Sequence, residues 1–75
     1  MNEINSISEM AELFEVSRPT VLNWIEEGMP YEMTGLQDYK FKIKKVLPWL
    51  RAKNARYARW IEKVILPKFK KLEIL

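Results

Sequence analysis

The chain contains no cysteine and no histidine. Thiolate and imidazole chemistry are therefore excluded, as are the zinc sites that stabilise many small domains. The lack of disulfide bonds fits a protein of the cytoplasm. No apolar run approaches the roughly 20 residues of a membrane span, and the N-terminus lacks the basic flank of a signal peptide. We therefore expect a cytoplasmic protein without a membrane partner.

Groups suited to catalysis are also scarce. Glu26 and Glu27 are adjacent, so on a helix their side chains diverge by about 100° and cannot converge as an acid/base pair. With two glycines in 75 residues, the sequence has no glycine-rich phosphate loop. A chain this short buries only about 60% of the surface that its unfolded form exposes, which leaves one modest core. We expect no enzymatic activity, no cofactor, no metal and no small-molecule substrate.

Basic residues are almost absent from the first half of the chain. Residues 1–38 carry one basic and eight acidic side chains, a net charge of −7, whereas residues 39–75 carry twelve basic and two acidic ones, a net charge of +10. Basic charge concentrated in one part of a small domain is suited to binding a polyanion such as DNA. A solvated basic helix face is the alternative interpretation.

The N-terminal half predicts two short helices. Ser6 and Glu9 have the spacing of a capping box, which opens a helix that ends near Glu15. Its apolar residues recur at helical spacing: Ile7, Met10, Ala11 and Phe14. Ser17 is the N-cap of a second helix that Gly28 terminates. Its inward residues are Val21, Trp24 and Ile25, and Pro19 lies in its first turn, where proline is tolerated. Two short helices joined by a turn of about three residues are typical of a helix-turn-helix.

The next segment predicts a hairpin. Three apolar residues, Tyr39, Phe41 and Ile43, alternate with Lys40 and Lys42, as expected for a strand with one buried face. Its partner strand is predicted over residues 30–34, with the turn at Gly35. The fold class is therefore mainly α with a small β-hairpin wing, a winged helix-turn-helix over residues 1–53.

Two further helices follow the hairpin. The third has Val46, Leu47 and Leu50 as its apolar stripe, and Pro48 makes its first turn irregular. The fourth begins near Asn54, and Pro67 is expected to end or kink it at Leu66. Residues 54–75 are assigned to a C-terminal helix and tail that bind another subunit. The apolar residues of this interface are Tyr57, Trp60, Ile61, Val64, Ile65, Phe69 and Leu72. The alternative is that the helix folds back over the core.

The second helix carries the predicted contacts to bases. In a helix-turn-helix, the opening turns of the second helix enter the major groove. Base readout is assigned to Arg18, Thr20 and Asn23, since arginine pairs with guanine and asparagine with adenine. Phosphate contacts are assigned to a second set: Ser17, Lys40, Lys42, Lys44 and Lys45. A simple helix cap is the alternative for Ser17, and a solvated strand face is the alternative for Lys40 and Lys42.

Residues 7–30 resemble the DNA-binding domain of small terminase subunits from lambda-type phages. The resemblance rests on a helix ending in Phe14, then Ser17-Arg18, Asn23-Trp24 and Gly28-Met29-Pro30, and it extends more loosely to Lys53. It implies a winged helix domain that dimerises, recognises double-stranded DNA near the packaging origin, and passes that DNA to a larger terminase subunit in the bacterial host. Excisionases and MerR-type regulators share the general fold.

Three other functions remain open. The chain's shortness fits an excisionase or small transcriptional regulator, and also a phage-satellite protein that pairs with a full-length terminase small subunit to redirect packaging. A protein-interaction module of the anti-repressor type, without DNA binding, is the third. The apolar side chains of Leu22 and Ile25 and the acidic N-terminal half favour this last function.

Overall fold

The computed structural model describes residues 3–35 and 38–74. Within these residues the fold is mainly helical, with a small three-stranded antiparallel sheet. The elements in chain order are β1 (Glu3–Ile4), α1 (Ile7–Phe14), α2 (Arg18–Glu27), β2 (Glu32–Met33), β3 (Tyr39–Lys42), α3 (Ile43–Lys53), α4 (Ala55–Trp60), a π-helical segment (Ile61–Ile65) and α5 (Leu66–Lys71).

Both N-terminal helices begin and end where the sequence predicted. The Ser6 side chain accepts a hydrogen bond from the Glu9 backbone N–H at 3.0 Å, and Ser17 caps α2 in the same way through Thr20. The last turn of α1 is closed by Glu15 in the left-handed conformation, at φ 55°. Gly28 closes α2 at φ 111°, a backbone conformation that glycine adopts without a Cβ clash.

The sheet contains a strand that the sequence did not predict. The strand order is β1-β3-β2, so the short N-terminal strand pairs with the central strand, with Ile4 opposite Phe41. Both of these side chains are buried. The hairpin between β2 and β3 is present but shorter than predicted, and Thr34 N–H donates to the Asp38 carbonyl across its turn. Leu36 and Gln37, which follow the predicted turn residue Gly35, lie outside the described residues.

The third helix begins earlier than expected. Ile43, predicted as the last apolar residue of a strand, is instead the first residue of α3 and remains buried. Pro48 consequently lies inside the helix and not in its first turn, as the sequence had suggested.

The chain from Ala55 to Lys71 forms one continuous helical rod, which we call the C-terminal helix. Asn54 caps its start by accepting from Tyr57 N–H at 2.9 Å. Pro67 was predicted to end or kink the helix at Leu66, and it does not end it, because the rod continues to Lys71. Pro67 has no N–H to donate, and the turn before it widens into the π-helical segment, where Leu66 N–H donates to the Ile61 carbonyl.

One apolar core joins β1, β3 and all the helices of the described chain. Phe14 of α1 lies at its centre, with ring centroids 6.2 Å from Trp24 and 5.3 Å from Phe69, both edge-to-face. The C-terminal helix therefore completes the core that α1 and α2 begin. It is also anchored by Lys68, whose ammonium donates to the Leu13 carbonyl at 2.8 Å.

Candidate nucleic-acid interface

The first turn of α2 brings two predicted contact residues together. The hydroxyls of Ser17 and Thr20 lie 2.8 Å apart, and the Ser17 oxygen also accepts from the Thr20 backbone N–H at 3.3 Å. The interpretation of Ser17 as a helix cap is therefore confirmed. Its phosphate contact stays a prediction, as does base readout by the half-buried Thr20.

The outer side of α2 presents the other predicted base contacts. Arg18 and Asn23 are exposed, whereas Val21 and Trp24 face the core. Leu22 is also on the outer side and is 44% exposed. The helix therefore offers a donor-rich guanidinium, an amide and one apolar surface to a partner.

Arg18 lies where three elements meet. It lines a shallow groove with Ser6 and Ser8 from the start of α1 and with Asp38 and Tyr39 at the start of β3. The N-terminal ends of α1 and α2 thus open on the same groove, beside the sheet. The positive dipole ends of both helices therefore favour an anion here.

The two lysines of β3 are engaged by carboxylates of the neighbouring strands. They alternate with Phe41 and so lie on the outer face of the sheet. Lys40 pairs with Glu3 of β1 at 3.4 Å, and Lys42 pairs with Glu32 of β2 at 3.5 Å. A phosphate at either lysine has to compete with a carboxylate already in place.

Lys44 and Lys45 are better placed for phosphates. Both are exposed in the first turn of α3, and neither lies within 4.0 Å of a carboxylate among the described residues. They share a shallow groove with Lys42 and Glu3. Cations at a helix N-terminus are repelled by the positive end of the helix dipole, which costs roughly a few tenths of a kcal/mol. A bound anion would remove this cost.

The predicted oligomer interface is largely buried within the chain. Ile61, Ile65 and Phe69 are completely buried in the core, so they are unavailable to a second subunit, and their assignment to an interface was wrong. Tyr57 and Trp60 are half-buried against Trp24, with centroids 6.0 and 6.4 Å away. The alternative, that this helix folds back over the core, is confirmed.

Two residues of the predicted interface remain exposed. Val64 is 43% exposed and Leu72 is 51% exposed, and they stand eight positions apart in the chain. The helical periodicity identified the apolar side of the C-terminal helix correctly. Periodicity does not say whether that side packs within the chain or on a partner.

The outer side of the C-terminal helix carries a row of cations that was not predicted. These residues are all exposed: Arg56, Arg59, Lys63, Lys70 and Lys71. The first three recur at i, i+3 and i+7, a spacing that places them on one side of a helix. This spacing is visible in the sequence, but the prediction used these residues only for the net charge of the C-terminal half.

Within residues 3–35 and 38–74, no helix is long and apolar enough to cross a lipid bilayer. The same residues contain no cluster of three or more acidic side chains arranged to hold a metal ion. No protein-family model matches the chain, and comparison with curated proteins and with solved structures finds no significant match. The resemblance to terminase small subunits thus stays a prediction carried by residues 7–30.

Proposed function

We propose that this protein is a winged helix-turn-helix domain that binds double-stranded DNA. In this proposal α2 is the recognition helix, and the β2–β3 hairpin is the wing. The observation that carries it is the position of Arg18, exposed at the first turn of α2 in a groove shared with the start of α1 and the start of β3.

The residues that we propose to contact bases lie on the outer side of α2. Arg18 lies in the first turn of α2, which is the end of a recognition helix that enters the major groove. Its guanidinium can donate two hydrogen bonds to guanine, at O6 and N7. Asn23 lies about one and a half turns further along and pairs with adenine. The Ser17–Thr20 hydroxyl pair holds the opening turn in shape.

Lysines supply the attraction to the phosphate backbone. Lys44 and Lys45 are the primary phosphate contacts, because no carboxylate of the described chain engages them. Lys40 and Lys42 contribute less, since Glu3 and Glu32 already balance their charge. Tyr39, at the start of β3, lies beside Arg18, and Lys42, at its end, lies beside Lys44. The strand between them spans about 10 Å, so one duplex can contact both ends.

The resemblance of residues 7–30 suggests which DNA is bound. We propose a packaging-site recognition role of the terminase small-subunit type in a bacterial host. A phage-satellite partner of such a subunit, an excisionase and a small regulator all use the same contact to duplex DNA. A homodimer, or assembly with a larger terminase subunit, belongs to the same proposal.

A protein-interaction module is the second candidate. It is favoured by Leu22, which is 44% exposed on the side of α2 where a DNA reader needs polar groups. The exposed side chains of Glu26 and Glu27 at the end of α2 also oppose a phosphate backbone.

Salt dependence of duplex binding separates the two candidates. With at least four phosphate contacts, affinity for a random-sequence duplex should fall at least about a hundredfold between 50 and 200 mM salt. Lys45→Ala should reduce the slope of log K against log salt by about 0.9. Arg51→Ala removes the same charge from the same helix and should leave the slope nearly unchanged. A wild-type protein with no salt-dependent affinity would refute DNA binding and favour the protein-interaction module.

A further inference from the structure

The outer side of the C-terminal helix is a strongly basic surface, which we call the C-face. It consists of Arg56, Arg59, Lys63, Lys70 and Lys71. All five are exposed, and none lies within 4.0 Å of a carboxylate in the described part of the chain. The ion pairs that are formed use other cations: Lys40, Lys42, Arg51, Lys53 and Lys68. The C-face therefore carries uncompensated positive charge over about 20 Å of helix.

The C-face and the surface around Arg18 are separate, because the groove that Arg18 lines and the groove between Arg56, Arg59 and Lys63 share no lining residue. The inward sides of the two helices meet directly, because Trp24 of α2 contacts Tyr57 and Trp60 with ring centroids 6.0 and 6.4 Å away. Arg56, Arg59 and Lys63 project away from the buried Ile61. The proposed DNA contacts of α2, β3 and α3 therefore include no residue of the C-face.

The chemistry of the C-face fits a phosphate backbone better than a protein. The cores of protein interfaces are depleted of charged residues, whereas interfaces with DNA are far more positive. Trp60 and Val64 line a shallow groove between the C-face cations, whereas the exposed Leu72 stands eight positions from Val64, so the helix has no continuous apolar seam along its length. A second copy related by two-fold symmetry would place this basic row against itself, since such an interface is self-complementary.

We propose that the C-face binds the phosphate backbone of a second DNA duplex, so that one chain joins two DNA segments. Phosphate binding by the C-face stands on its own charges, whereas the joining of two duplexes rests on the proposed DNA contact of α2. Binding at the C-face is independent of sequence, because phosphate contacts do not read bases.

The test is capture of one duplex by another. A biotinylated duplex is fixed to beads, and a fluorescent duplex is retained only when protein joins the two. The test variant is Arg56→Gln with Arg59→Gln and Lys63→Gln. Arg59→Gln and Arg51→Gln form a matched pair of single-charge changes, one on the C-face and one on α3. Light scattering gives the mass of each protein, and circular dichroism verifies its fold.

We expect wild-type protein to retain the fluorescent duplex and the triple variant to lose at least nine-tenths of that signal at unchanged mass. Affinity for a single preferred duplex should change less than about threefold. Arg59→Gln should weaken capture more than Arg51→Gln.

Equal capture by wild-type protein and the triple variant would overturn the inference. Loss of capture together with a fall in mass would also overturn it, because a protein dimer, and not the C-face of one chain, would then have joined the two duplexes. No capture by wild-type protein at low salt, despite binding of single duplexes, would favour an acidic protein as the partner of the C-face and overturn the inference too. These outcomes leave the proposed function standing. If Arg18→Ala with Asn23→Ala retains full duplex affinity and the triple variant has none, the proposed contact of α2 fails and C-face phosphate binding survives.

Discussion

Glu3 and Lys40 form an ion pair between neighbouring strands, with 3.4 Å between the carboxylate oxygen and the ammonium nitrogen. On the other side of β3, Lys42 pairs with Glu32 at 3.5 Å. These pairs are solvent-exposed, and such pairs contribute at most about 1 kcal/mol to stability. Their larger effect is on function, because each carboxylate neutralises a lysine that otherwise attracts phosphate.

Removing those carboxylates should strengthen DNA binding. Glu3→Gln with Glu32→Gln leaves both lysines free and takes two negative charges away from the sheet face. We expect a rise in duplex affinity of about three- to tenfold at low salt, measured by fluorescence anisotropy, and a smaller rise at high salt because of screening. Glu15→Gln, which removes the carboxylate beside Lys68 at the end of α1, is the control and should change affinity less. Unchanged affinity in the double variant would remove Lys40 and Lys42 from the DNA contact.

Phe69 should behave as a core residue and not as an interface residue. It is completely buried and packs edge-to-face on Phe14 with centroids 5.3 Å apart. Phe69→Ala should lower the free energy of unfolding by about 3–5 kcal/mol, enough to unfold much of a small domain. Leu72→Ala, at a 51% exposed position, should cost less than about 0.5 kcal/mol. Urea unfolding at two protein concentrations is the measurement, and a loss that depends on protein concentration would instead indicate an intersubunit role.

Lys68 should stabilise α1 by binding the C-terminal end of that helix. Its ammonium donates to the Leu13 carbonyl at 2.8 Å and lies 3.7 Å from the Glu15 carboxylate. The last carbonyls of a helix lack partners, and a cation at this end also matches the dipole. Lys68→Met should cost about 1 kcal/mol in urea unfolding. Lys70→Met, on the exposed side of the same helix, should be nearly neutral, and an equal loss from the two variants would contradict this role.

Local signals predicted the N-terminal half of the fold well. Ser6 with Glu9, Ser17 with Pro19, and Gly28 each act within one or two turns, so a helix start or stop can be recognised without knowing the rest of the chain. The β1 strand had no such signal. It has two residues, and its pairing partner lies almost 40 positions away in the sequence. Without β1, the partner of Lys40 could not be identified.

The C-terminal half was harder to predict because periodicity carries no information about partners. The positions of Ile61 and Ile65 identified the apolar side of the helix, but their burial in one core with Phe14 and Trp24 depends on where the rod docks. Pro67 was expected to end or kink the helix, since proline removes a hydrogen bond and clashes with the preceding turn. The π-helical segment accommodates the proline, and no residue pattern in the sequence predicted that segment.

The contribution of Arg18 to sequence preference decides whether α2 reads bases. A preferred duplex is selected from a random pool, and the affinities of wild-type, Arg18→Ala and Arg51→Ala proteins are measured on that duplex and on a scrambled one. We predict that Arg18→Ala loses about tenfold or more on the preferred duplex and much less on the scrambled one, as expected for a bidentate contact to guanine. Arg51→Ala should keep the wild-type ratio. Equal losses of Arg18→Ala on both duplexes, or a wild-type protein with no preferred duplex, would contradict a reading role for α2.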